Sequence, residues 1–206
     1  MGLKEELEEK AESCQSTEDF VELAKEVMSG VSDKEWAERL FEDAVYWAET
    51  AGDFTALTWG AVEVFQDKNR AQEYLNQGKD YCMNLPEYIE LAKAAADAIG
   101  PESAKEIVTA AQAKCVKVQD FLNLSKNIND LLSDADLSKE IADKALNKCN
   151  TADDYNNFAK GVMEVFNDSD WAKQVYETAT ENCKTGDDFG ALAKGAEDTI
   201  PTRREV

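Results

Sequence analysis

The sequence predicts an all-α chain, a solenoid of about twelve short antiparallel helices arranged as six hairpins of a B helix and an A helix. Three observations predict it. An aromatic column, Phe20, Phe54, Tyr88, Phe121, Tyr155 and Phe189, recurs at spacings of 34, 34, 33, 34 and 34 residues. A second set of columns at helical spacing lies between its members. Only three Pro occur in 206 residues, and Ala, Glu, Lys and Leu fill most of the chain, which favours helix with short connections.

Helix A follows from the aromatic column. Three residues after each aromatic comes Leu23, Leu57, Leu91, Leu124, Phe158 or Leu192, and the next residue is always small: Ala24, Thr58, Ala92, Ser125, Ala159, Ala193. Large residues at i and i+3 with a small one at i+4 share one helix face. Helix B carries a small column, Ala37, Ala71, Ala104, Ser138 and Ala172. Phe41, Leu75, Val108, Ala142 and Tyr176 follow four residues later, and Ala44, Gly78, Ala111, Ala145 and Ala179 seven later. Small columns let helix backbones approach, and large ones fill the space between layers.

The single 33-residue spacing falls in the turn from A to B at Ile99-Gly100-Pro101, where Gly suits a helix end and Pro a helix start. Before helix A stand Ser16, Thr50, Asn84, Lys117, Thr151 and Thr185, each with an acid three residues on: Asp19, Asp53, Glu87, Asp120, Asp154, Asp188. This is a capping-box pattern, with Lys117 its one exception. Before helix B the expected signals are Ser32 with Glu35, Asp67, Pro101, Ser133 with Asp136, and Asp168. Capping and the helix dipole thus account for much of the acidic excess. The array is expected to fill residues 1–200 as one repeat domain, from a B-type helix near 3–14 to an A-type helix near 186–199, with a tail at 201–206.

These columns resemble the tetratricopeptide family over essentially the whole chain. Tyr155, Phe158 and Ala159, then Ala172, Tyr176 and Ala179, follow that family's order of bulky and small residues, as do Phe20, Leu23, Ala24, Ala37, Phe41 and Ala44. In most units the turn from A to B is one residue longer than the family pattern, the turn from B to A is one shorter, and the Pro that closes a unit is absent. The resemblance implies a right-handed superhelix. It also implies that the position one past the small column of helix A lines a concave groove that contacts extended peptides.

That position reads Lys25, Trp59, Lys93, Lys126, Lys160 and Lys194. A ladder of ammonium groups could hold carboxylates of a bound segment, with Trp59 as an apolar or cation–π anchor. The competing reading is intrahelical pairing of Lys93, Lys126, Lys160 and Lys194 with Asp97, Asp130, Glu164 and Asp198, each four residues on. A second ladder, Cys82, Cys115, Cys149 and Cys183, with Cys14 one position before the interrupting Ala48, reads as small buried residues. Stacked repeats set equivalent atoms roughly 10 Å apart, too far for a metal site or a disulfide. Acidic turns such as Asn167-Asp168-Ser169-Asp170 lack the Gly and the closing Glu of a calcium loop. Trp36 and Trp171 are equivalent and are expected to cover the seam between repeats. Trp47 ends a B helix.

The chain has no His, no phosphate-binding Gly loop and no nucleophile elbow, so neither catalysis nor a cofactor is expected. A net charge of -21 disfavours nucleic acid and anionic membranes and favours a partner with basic surface. No apolar stretch is long enough to span a bilayer, no signal-peptide pattern opens the sequence, and five Cys fit no disulfide framework, so a reducing cytoplasm is expected. The expected function is a protein-interaction module or scaffold that binds a peptide or partner helix on the A-helix face. The alternatives are an acidic chaperone of a basic protein, or a ligand carrier or carboxylate enzyme with a cleft between repeats.

Overall fold

A computed structural model of the protein describes residues 2–200, so the expected tail at 201–206 lies outside the described residues. Among them the chain is entirely helical in its regular structure. The B-type helices are α1 (Leu3–Ser13), α3 (Lys34–Trp47), α5 (Lys68–Tyr81), α7 (Pro101–Gln112), α9 (Ala135–Leu146) and α11 (Ser169–Asn182). The A-type helices are α2 (Thr17–Gly30), α4 (Ala51–Phe65), α6 (Leu85–Ala98), α8 (Val118–Leu132), α10 (Ala152–Phe166) and α12 (Gly186–Thr199). None is long and apolar enough to cross a membrane.

The chain divides into two compact units after Ala111. In the first unit α2 packs on α3 and α4 on α5, while α2, α4 and α6 pack side by side. In the second unit α8 packs on α9 and α10 on α11, with α8, α10 and α12 side by side. This arrangement of adjacent hairpins is that of a helical solenoid.

The small columns of A and B meet inside each hairpin. Ala24 and Ala37, Thr58 and Ala71, Ser125 and Ser138, and Ala159 and Ala172 are all fully buried. At the serine pair the approach is close enough for each hydroxyl to donate to the other residue's carbonyl at 2.8 Å. Buried hydroxyls remain only where they are satisfied in this way. Phe20, Phe54, Tyr88, Phe121 and Tyr155 are buried alike. Phe189 is 44% exposed, because no helix follows α12 among the described residues to cover it.

Neighbouring A helices also approach closely. A Cβ added at Gly60 of α4 would lie 2.7 Å from Val21 of α2 and 2.7 Å from the fully buried ring of Phe41. Gly161 of α10 meets Leu122 of α8 in the same way, at 2.6 Å.

The A-helix caps follow the expected pattern. The side chains of Ser16, Thr50, Asn84, Thr151 and Thr185 accept from the third amide of their helices. The acid at that position reaches back in turn. Asp154, for example, accepts from the amides of Asn150 and Thr151 at 3.1 and 3.0 Å. At Lys117, which has no acceptor, the Asp120 carboxylate still takes the amides of Val116 and Lys117. Burial opposes ionisation of Asp154, but these amides outweigh it and hold the carboxyl below its ordinary range.

The B-helix caps differ from expectation in two places. Asp33, not Ser32, caps α3, and Asp134, not Ser133, caps α9, accepting from Trp36 and Leu137. Ser32 and Ser133 instead adopt the left-handed conformation, with φ of 55° and 50°. Gln66 and Asn167 do the same before the caps Asp67 and Asp168. The physical reason is the reversal itself. One left-handed residue ends the A helix and swings its amide onto the last turn, as when Ser32 donates to Val27 at 2.9 Å. The cap must then be the next residue. In the shortened turn Gly100, with φ of 146°, leads directly into Pro101 at the start of α7.

Successive B helices are tied by a side-chain seam at one pair of columns. Lys4 lies 3.9 Å from Asp33 and over the ring of Trp36, and Lys139 lies 3.7 Å from Asp168 and 4.7 Å from the centre of the Trp171 ring. Between α3 and α5 the polarity is exchanged: Glu38 takes Arg70 at 2.7 Å. Between α5 and α7 the pair is neutral, with Ser103 donating to Gln72 at 2.6 Å. Trp36 and Trp171 do cover this seam.

Two outcomes follow. Gly60→Ala should destabilise the protein by about 1–3 kcal/mol through overpacking. Gly190→Ala, in α12 with open space around its Cα, should stabilise it by about 0.5–1 kcal/mol. Urea melts of both variants check the opposite signs. The stability lost in Asp154→Ala should also depend on pH. A carboxyl with a depressed folded pKa stabilises fully above its unfolded value of about 3.9 and loses that contribution as pH falls through the folded value. The gap between wild type and variant should therefore hold from pH 7 to about 5 and close below about 4.

Candidate functional site

The position one past the small column of helix A faces outward from the side-by-side A helices. Large residues one turn earlier, Val21 in α2 and Leu122 in α8, fill the space toward the next A helix and close on Gly60 and Gly161. Above that contact the surface dips, because glycine supplies no side chain. Each unit therefore carries a hollow between two A helices, and the two hollows are built from equivalent positions.

In the first unit the hollow has a volume of about 320 Å³, and Glu18, Glu22, Lys25, Ala56, Trp59 and Glu63 surround it. Lys25 is committed within it. Its ammonium lies 2.7 Å from Glu22 on its own helix and 2.7 Å from Glu63 on α4. Partial burial works against the charge, but the two carboxylates outweigh it and hold the pKa above the ordinary lysine value. Trp59 is half-buried beside this bridge.

In the second unit the equivalent hollow is smaller, about 150 Å³, and its polar lining is Gln119, Asn123, Lys126, Asn157, Lys160 and Glu164. The chemistry is changed position by position. Gln119 stands where the first unit has Glu18, Asn123 where it has Glu22, Asn157 where it has Ala56, and Lys160 where it has Trp59. The rim changes from three carboxylates to one, and it gains three primary amides. Lys126 and Lys160 are exposed, and no carboxylate among the described residues lies within ion-pair distance of either.

The pairings expected four residues along the helix do not form. Lys93 bonds Glu90, three residues before it, at 2.6 Å rather than Asp97. Asp130, Glu164 and Asp198 take no ion pair with Lys126, Lys160 or Lys194 among the described residues, and Lys194 is exposed on α12. A Lys before an acid at this spacing is the weaker orientation, since each charge sits at the wrong end of the local dipole. The six positions thus divide into a paired set, Lys25 and Lys93, an aromatic, Trp59, and an unpaired set, Lys126, Lys160 and Lys194.

The second hollow offers two ammonium groups and three amides around one carboxylate, with the Gln119 NH2 already donating one hydrogen to Asn123 Oδ1 at 2.9 Å. Such a rim matches carboxylates and the carbonyl oxygens of an extended peptide. The amides were not singled out in the sequence, although their signal is present in the columns. Asn and Gln replace Glu only in this half of the chain.

Among the described residues no group of His, Cys, Asp and Glu could hold a metal ion. The thiols are held away from reactivity. Burial first, then the nearby Asp120, pushes Cys115 up to about 11, and burial with Asp154 pushes Cys149 up to about 12. Cys14 is partly buried, and Cys82, Cys115, Cys149 and Cys183 are buried. No family model, curated protein or solved structure matches the chain.

Proposed function

We propose that the protein is an interaction module whose A-helix face holds an extended segment of a partner protein. The carrying observation is the pair Lys126 and Lys160, two exposed ammonium groups that share one hollow and lack internal partners in a chain of net charge -21. With 43 acids for 22 bases, an unpaired lysine pair is not what excess acid would leave by default. Gln119, Asn123 and Asn157 supply the remaining donors. A segment carrying a carboxylate and free backbone carbonyls satisfies that rim. Trp59 offers an apolar anchor in the first unit's hollow, where a bound side chain would cover its exposed face.

The rest of the partner carries basic surface, because the long-range field of this chain attracts cations and repels polyanions. Five Cys at spacings that fit no disulfide framework suit a reducing compartment such as the cytoplasm. The fold supports this reading through its form. Helix pairs stacked side by side make long binding surfaces, and neither hollow holds a catalytic constellation.

The test starts from a partner captured by affinity pull-down and reduced to its binding segment. Lys126→Ala with Lys160→Ala should weaken that segment by roughly tenfold or more, the loss expected when charge-assisted hydrogen bonds vanish. The thermal melt should stay in place, because neither lysine has a partner to lose. Calorimetry showing wild-type affinity in the double variant would remove the second hollow from the proposal. Wild-type affinity in Trp59→Ala would remove the first.

A further inference from the structure

The hollows leave a second surface unexplained. It lies at the turns from B to A in the first unit. Tyr46 is 85% exposed and Trp47 47% at the end of α3, and Tyr81 is 43% and Met83 80% at the end of α5. The two turns are adjacent. Tyr81 packs its ring 4.8 Å from Phe54 in the first turn of α4, and the Met83 amide donates to Glu87 in the first turn of α6. Between the starts of α4 and α6 lies an apolar hollow of about 360 Å³ formed by Ala51, Gly52, Thr55 and Pro86, with Glu87 and Glu90 on its rim.

The repeat itself shows that the fold does not need these side chains. The same two turns occur in the second unit, 67 residues along. There Lys114 replaces Trp47, Lys117 replaces Thr50, Lys148 replaces Tyr81 and Asn150 replaces Met83. That edge also carries a hollow, of about 310 Å³, where Lys117 and Lys148 stand beside Val116, Val118 and Asp154. One more repeat along, Asn182 and Lys184 occupy the columns of Tyr81 and Met83. Turns at equivalent positions thus carry aromatic and sulfur side chains in one unit and chiefly lysine and asparagine in the other, where Val116 is the exposed apolar residue.

Charge decides what covers the aromatic edge. The first unit has 10 Lys and Arg for 25 Asp and Glu, a net charge of -15, whereas the second has 12 for 18, a net charge of -6. Asp43, Glu49 and Asp80 are exposed within one turn of Trp47 and Tyr81, and Glu90 borders the hollow. An apolar patch ringed by carboxylates matches a segment with apolar side chains flanked by cations. Lys or Arg heads would reach the acids and the faces of Tyr46 and Trp47 while apolar side chains cover Tyr81 and Met83. A second copy could offer Lys114, Lys117 and Lys148, but two chains of -21 repel, so a separate cationic partner fits better.

We infer that the edge formed by Tyr46, Trp47, Tyr81 and Met83 is a docking site for a cationic amphipathic peptide segment of a partner protein, distinct from the hollows on the A-helix face. The probe is a synthetic 18-residue helix-forming peptide of Leu and Lys, with a Ser and Lys peptide of equal charge as its control. The Leu and Lys peptide should bind at least tenfold more tightly than the control, with affinity falling as salt rises. The variant carrying Trp47→Asn, Tyr81→Asn and Met83→Asn leaves the charge unchanged and places at the turns a residue that Asn150 and Asn182 show they accept. It should bind the Leu and Lys peptide at least tenfold more weakly while keeping the wild-type circular dichroism spectrum. Lys126→Ala with Lys160→Ala should bind it as wild type does, which separates this site from the A-helix face. Equal binding of the two peptides would reduce the effect to charge alone and overturn the inference. So would wild-type affinity in the triple variant, or sedimentation showing a dimer that the triple variant dissolves, since the edge would then be covered by a second copy.

Discussion

The structure depends on the contact between the small column of each A helix and that of the B helix after it. Ala24 and Ala37, Thr58 and Ala71, and Ala159 and Ala172 are fully buried where their helices pack. Ser125 and Ser138 show how little room remains, since each hydroxyl reaches the opposite carbonyl. Once that distance is set, the large residues on either side have one way to interlock. Leu57, Leu75 and Leu91 become fully buried, as do Leu124 and Ile141 in the second unit. A larger residue at any of these contacts would separate the pair and open voids beside the large columns, losing dispersion contacts that a packed interior requires.

Because the packing is internal to hairpins and their neighbours, the outward positions can vary without cost to the fold. The seam between successive B helices shows this directly. Its pair is lysine with aspartate and tryptophan, then glutamate with arginine, then glutamine with serine, at the same columns. Only complementarity across the pair is kept. The A-helix hollows and the edge turns go further and change character between the two units. The first unit places Trp59 and carboxylates where the second places lysine and amides, and it places Trp47 and Tyr81 where the second places Lys114 and Lys148. One repeated backbone therefore carries surfaces of opposite chemistry.

The fold was legible in the sequence because packing imposes strict periods, and residue size alone reveals them. The A-helix caps were legible for a similar reason, as hydroxyl or amide and acid recur three apart. Ser32 and Ser133 were misread because serine and aspartate are both good caps and stand side by side there. Only the left-handed turn decides between them, and serine gives it no signature as glycine would. The lysine pairings were misread because a helix allows neighbours at both three and four residues, and Glu90 before Lys93 complements the dipole while Asp97 after it does not. The exposed edge was missed because Tyr81 and Met83 are apolar and fit a core as readily as a surface. Exposure depends on where a turn ends, which periodicity does not report.

A chain of net charge -21 can still hold carboxylates on one face, because attraction at contact and repulsion at range act over different lengths. At physiological ionic strength charges more than about 8 Å apart are largely screened. A carboxylate over the second unit's hollow therefore responds first to Lys126, Lys160 and Glu164, a local balance that favours it, and only weakly to the rest of the surface. The distant acids still act during approach, where they slow an acidic partner and speed a basic one. The partner that satisfies both conditions is basic over most of its surface and presents its carboxylate on a segment free to extend into the hollow. In the first unit the same reasoning gives a different result, since Lys25 is already held by Glu22 and Glu63 and the local balance is acidic. Each unit thus carries its own local charge balance through a few side chains at repeated positions, while the helices beneath them stay alike.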